Sequence, residues 1–202
     1  MHKLNIFLLI VLAIALQVAL IVGIYKIRQP KPEPPRQETA QPVQIVPEFV
    51  VDPYITQLGS EVGISKEKLV ELKASFVDSC SPVPDTLACY NGDMLLNNQI
   101  KQRDRLKQRV ALAHEYLHYV WNKKADKIGL KPLLSSVYIA NKAYFDSRFV
   151  NYYNNGTKVG DENFYNELHS FVGTEVSDNK LSPELLHHYM MYTNREALPS
   201  YI

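Results

Sequence analysis

The chain has 202 residues and a formal net charge of +1, with 22 Lys and Arg against 21 Asp and Glu. That balance lacks the basic field nucleic-acid binding needs, so no nucleic-acid partner is expected. The length allows one ordinary domain and an appendage.

The appendage comes first. Residues 4–25 are apolar except for Asn5 and Gln17. A helix of that length rises about 33 Å, enough to span a hydrocarbon core of about 30 Å. A cleavable signal peptide has a shorter apolar core, about 7–15 residues, followed by small residues. Here the segment runs out in Val22-Gly23-Ile24-Tyr25-Lys26, so residues 1–26 read as an uncleaved transmembrane anchor. Two signals pull its orientation in opposite directions. Lys26, Arg28, Lys31 and Arg36 would keep the following domain in the cytoplasm by the positive-inside rule. Cys80 and Cys89, with two prolines between them, suggest a disulfide and an oxidising compartment. The very short leading tail also suits insertion with the tail inside. The expectation is a single-pass membrane protein with an extracytoplasmic domain.

Residues 27–47 hold six of the twelve prolines and read as an extended linker. The globular domain then runs over 48–202. Residues 52–62 and 65–77 are predicted helices, the second with Ser65 as N-cap. Thr86–Tyr90 and Met94–Leu96 flank Asn91-Gly92, a hairpin signal.

No proline or glycine interrupts residues 99–128. Leu106, Val110, Leu117 and Trp121 recur there at helical spacing. Among them lies His114-Glu115-Tyr116-Leu117-His118, an H-E-x-x-H pattern. Histidines four apart share one helix face and can grip one Zn²⁺, and the intervening glutamate can serve as general base on a metal-bound water. Zinc is therefore the expected cofactor, and zinc-assisted hydrolysis, most often of a peptide bond, the expected reaction. Further predicted helices cover 132–153, 161–177 and 182–197, the last with Ser182 as N-cap and Pro183 at its first position. The fold class is α+β, mostly α, with a small hairpin or sheet before the H-E-x-x-H helix.

A catalytic zinc takes three protein ligands and an open position. No third histidine follows His118 at metzincin spacing. Asn166-Glu167-x-x-Ser170, 49 residues beyond His118 counted to Glu167, resembles the N-E-x-x-S-D segment of thermolysin-like peptidases. Phe171 stands where their aspartate would be. The two motifs together resemble zinc-dependent metallopeptidases of the gluzincin type. The resemblance implies a zincin-like domain, His114, His118 and Glu167 as zinc ligands, and Glu115 as general base. Glu175 is the rival ligand or a partner to one, because it falls in the middle of an apolar face. His169 reads as a surface group or as a partner to a ligand. Tyr189, Tyr192, His187, His188 and Arg195 are candidates to stabilise an oxyanion.

The implied function is a membrane-anchored zinc metallopeptidase acting on peptides or proteins. The main alternative is a non-catalytic envelope protein that uses a zincin-like fold for binding or scaffolding, with or without structural zinc; a zinc site closed by Cys80 or Cys89 would favour it. A zinc hydrolase acting on a non-peptide bond is the third reading. Oligomeric state is open.

Overall fold

Asp52 and Pro53 start helix α1 (Pro53–Glu61). The Asp52 carboxylate accepts a hydrogen bond from Tyr54 N, and Pro53 has no N–H to leave unpaired. These features come from a computed structural model that describes residues 48–81, 86–123 and 127–202. The expected anchor (1–26) and linker (27–47) lie outside the described residues. Among the described residues, no helix is long and apolar enough to cross a membrane.

Helix α2 (Lys66–Glu71) is capped by Ser65, whose hydroxyl accepts from Lys68 N. It ends well short of the predicted 77. Lys73 turns the chain at φ 45°, and Ser75–Val77 become strand β1. The aromatic and β-branched pair Phe76-Val77 suits a strand. The Phe76 ring also packs between Tyr54, 6.0 Å away, and the Lys101 ammonium, 3.7 Å from its centroid. Strands β2 (Ala88–Tyr90) and β3 (Met94–Asn97) form the expected hairpin, with Gly92 at φ 112° in the turn. β1 runs parallel to β3 with Phe76 opposite Leu96, giving a three-stranded sheet ordered β1-β3-β2. The architecture is therefore α+β and mostly helical, with β2 as an edge strand.

A 3₁₀ turn, Asn98–Gln102, leads into helix α3 (Arg105–Lys123), so the helix starts later than the sequence suggests. Asp104 caps it, accepting from Lys107 N at 3.0 Å. Leu106 is exposed, contrary to its place in the predicted apolar stripe, while Gln108 is buried. Gln108 bridges Tyr54, Arg105 and the Arg103 carbonyl, so its polar atoms are satisfied.

The predicted 132–153 helix is two helices, α4 (Leu130–Ala140) and α5 (Lys142–Asn154). Asn141 breaks them: its side chain bonds the Val137 carbonyl at 3.0 Å and competes with the backbone ladder. Helix α6 (Glu162–Glu175) is capped by Asp161, and α7 (Pro183–Met190) by Ser182. The predicted 182–197 helix stops at Met190, and Arg195–Ala197 form only a 3₁₀ turn.

Helix α6 lies directly against α3. Gly173 permits this approach, because a Cβ there would collide with Leu117 of α3 and Tyr189 of α7. Trp121, Phe145, Phe149, Phe164 and Tyr189 are fully buried around this contact. The packing fixes the relative height of the two helices, and with it the position of any side chain that reaches between them.

Candidate metal centre

Helical spacing puts His114 and His118 on the buried face of α3, which turns toward α6. Glu167, in the second turn of α6, meets them there. Its Oε2 lies 3.4 Å from His114 Nε2 and 3.5 Å from His118 Nε2. The potential ligand atoms of all three residues fall within 4.8 Å of one another. Four-coordinate zinc with bonds of about 2.0–2.1 Å needs ligand atoms about 3.4 Å apart. The two carboxylate contacts have that spacing already.

A second feature tests the fit. Among the described residues, no hydrogen bond of good geometry reaches the buried Glu167 Oε2. Burial pushes the Glu167 pKa up, but His114, His118 and Tyr152 outweigh it, leaving the group below the ordinary carboxylate value. A charged, buried, unbonded oxygen aimed at two imidazole nitrogens is a poor endpoint for a core and a good one for a cation. The donor set of two imidazoles and one carboxylate suits Zn²⁺.

The residues around this cluster orient it. His118 Nδ1 is 3.0 Å from Asn166 Oδ1 and 3.2 Å from Ser170 Oγ. Asn166 Oδ1 can only accept, so Nδ1 carries the proton and Nε2 presents its lone pair to the metal position. Phe171 offers His118 no polar partner, and the two other polar residues of the same motif supply one. Phe171 instead packs its ring against His114, 4.7 Å between centroids. Asn166→Ala is expected to weaken zinc affinity about ten- to a hundredfold, measured by competition with a chromophoric chelator.

Glu115 is not among the three clustered ligands. It lines a cleft of about 290 Å³ together with His118, Glu167 and the edge strand β2. Burial raises its pKa to about 7; Glu167 pushes the same way, while His118 and the Tyr90 N–H pull it down. Tyr152 of α5 lines the same cleft beside Glu167. Burial, then the charges of Glu167 and Glu115, raise its pKa, so it is a neutral hydroxyl donor at all moderate pH values. The sequence reading missed Tyr152. No motif marks it, and its position depends on how α5 packs across α6.

Other expectations are corrected. Glu175 is buried at 1% exposure, but it is not part of the cluster. Its carboxylate accepts from Tyr144 at 2.6 Å and pairs with Arg148 at 2.5 Å. His169 is fully buried, its Nε2 2.8 Å from His188 Nε2 and its ring beside Trp121. It lies two residues from Glu167, on the far side of α6. The oxyanion candidates of the C-terminal region do not line the cleft. Tyr189 donates to the His169 carbonyl, and Arg195 caps α6 through the Gly173 and Val176 carbonyls. His187 is exposed, and Tyr192 lines a separate recess with Lys68 and Tyr116. Cys80 and Cys89 are joined in a disulfide, Cα atoms 6.1 Å apart, so neither offers a thiolate to close the site.

Comparison of the chain with protein-family models, with curated proteins and with solved structures returned no match. The functional reading therefore stands on the geometry of these residues.

Proposed function

We propose that this protein is a membrane-anchored zinc peptidase with a zincin-like domain. In this reading His114, His118 and Glu167 hold the metal and Glu115 is the general base. One observation carries it: the unbonded, buried Glu167 Oε2 held 3.4 and 3.5 Å from two imidazole nitrogens. Zinc at that position supplies Lewis acidity toward water and toward the carbonyl of a peptide bond.

The chain's own groups account for the rest. Glu115 takes the proton of the attacking water and returns it to the leaving amine. The Tyr90 N–H favours the charged form of its carboxylate. Tyr152 donates to the substrate oxygen as negative charge builds there. The outer edge of β2 has backbone groups that no strand of this sheet pairs, and an extended peptide can add to it. The Cys80–Cys89 disulfide supports an oxidising, extracytoplasmic location. Residues 4–25 would supply the anchor.

The test is zinc dependence of peptide hydrolysis by the full chain in detergent. Removing metal with a chelator should abolish cleavage of a peptide panel, and one equivalent of zinc should restore it. Zinc-loaded protein that leaves every peptide intact but cleaves another amide or an ester would redirect the reading to a non-peptide hydrolase. A folded chain that takes up no zinc would leave only the binding-scaffold alternative. Within the peptidase reading, Tyr152→Phe should lower kcat on the order of a hundredfold and change KM little, as loss of a transition-state donor does.

A further inference from the structure

The cleft is lined by the edge strand β2 and by three helices. Helix α3 contributes Asn122, one helical turn beyond His118, and the end of α5 contributes Asn151 and Asn155, one turn apart. All three are exposed, and among the described residues no side-chain hydrogen bond engages their carboxamides. Among the described residues the cleft lining contains no Lys or Arg, and its carboxylates are Glu115 and Glu167. Both of those are already committed to the reaction centre.

Resting on the peptidase reading, we propose that Asn122, Asn151 and Asn155 form a subsite that selects an uncharged polar substrate side chain next to the scissile bond: Asn, Gln, Ser or Thr. Each carboxamide offers two N–H donors and one acceptor oxygen. An amide or hydroxyl side chain can satisfy both kinds of group at once. A carboxylate or ammonium there finds no opposite charge and loses part of its hydration. An aliphatic side chain displaces water from three carboxamides and returns no hydrogen bond. Because the rim is open to solvent, discrimination should be modest, about tenfold, the size of one net hydrogen bond.

The test is digestion of a mixed-sequence peptide library by the zinc-loaded full chain, with cleaved bonds located by mass spectrometry. The expected result is an enrichment of about tenfold for Asn, Gln, Ser and Thr over Asp, Lys and Leu at one position beside the cut. Asn122→Leu with Asn155→Leu should erase that enrichment while zinc content, Tm and cleavage of the disfavoured peptides persist. Asn155→Asp should move the preference toward Lys and Arg. Cleavage without any such preference, or a preference that survives the double substitution, overturns the subsite and leaves the peptidase reading intact. Absence of all cleavage by zinc-loaded protein overturns both.

Discussion

Glu115→Gln is expected to keep one zinc per chain and to lose hydrolysis on the order of a thousandfold. The substitution preserves shape. It removes only the ability to take a proton. Glu115 is not one of the three clustered ligands, so metal binding should survive. The stability of the metal-free protein supplies an independent check. Burial raises the Glu115 pKa from an ordinary 4.5 to about 7, so the folded state disfavours its charge. The native protein then binds the proton more tightly than the unfolded one, and stability falls as pH rises through the window from 4.5 to about 7. Gln carries no such penalty. Metal-free Glu115→Gln should match wild type near pH 4 and exceed it at pH 8 by at most about 3.4 kcal/mol. Thermal melts at the two pH values, beside zinc content and turnover, measure all of this. Full turnover in the variant would remove Glu115 from the mechanism; loss of zinc would make it a ligand.

The sequence carried the local chemistry and missed what depends on distance. Helical periodicity alone put His114 and His118 on one face, and the Asn91-Gly92 hairpin could be read from its turn residues. Asp161 and Ser182 mark helix starts because a cap is a contact within three residues. The break at Asn141 was harder, since a carboxamide that bonds its own helix leaves no gap in the apolar pattern. Strand β1 was missed because a three-residue segment exists only by pairing with β3, about twenty residues later. The same limit governs the site. Glu167 could be singled out because Asn166 and Ser170 accompany it, yet that Asn166 and Ser170 both address His118 follows only from the packing of α6 on α3. Tyr152 and the Arg148 partner of Glu175 lie on a helix whose placement no local signal fixes.

Glu167 and Glu175 provide the sharpest comparison, because both carboxylates lie on one helix and their surroundings are opposite. Glu167 is short of hydrogen bonds and faces two imidazoles. Glu175 has its charge met by Arg148 and Tyr144. Glu167→Ala should therefore lose zinc, with affinity falling by more than the roughly hundredfold effect of an outer partner. Its metal-free form should melt close to wild type, because the burial cost of the carboxylate and the attraction of His114, His118 and Tyr152 oppose each other and both disappear with it. Glu175→Ala should behave in reverse. It should keep one zinc per chain and lose roughly 2 kcal/mol of stability, a fall of about 5 °C in Tm. The loss stays below that of a fully buried ion pair because the Arg148 side chain is 44% exposed and can return to water. Zinc content by elemental analysis and melting of the chelated proteins read the two effects separately. Zinc lost from Glu175→Ala but kept in Glu167→Ala would overturn the ligand assignment. Zinc lost from both, with both metal-free forms folded, would mean that Glu175 acts on the site through Arg148 and Phe171, whose ring the guanidinium covers at 5.0 Å and which packs against His114.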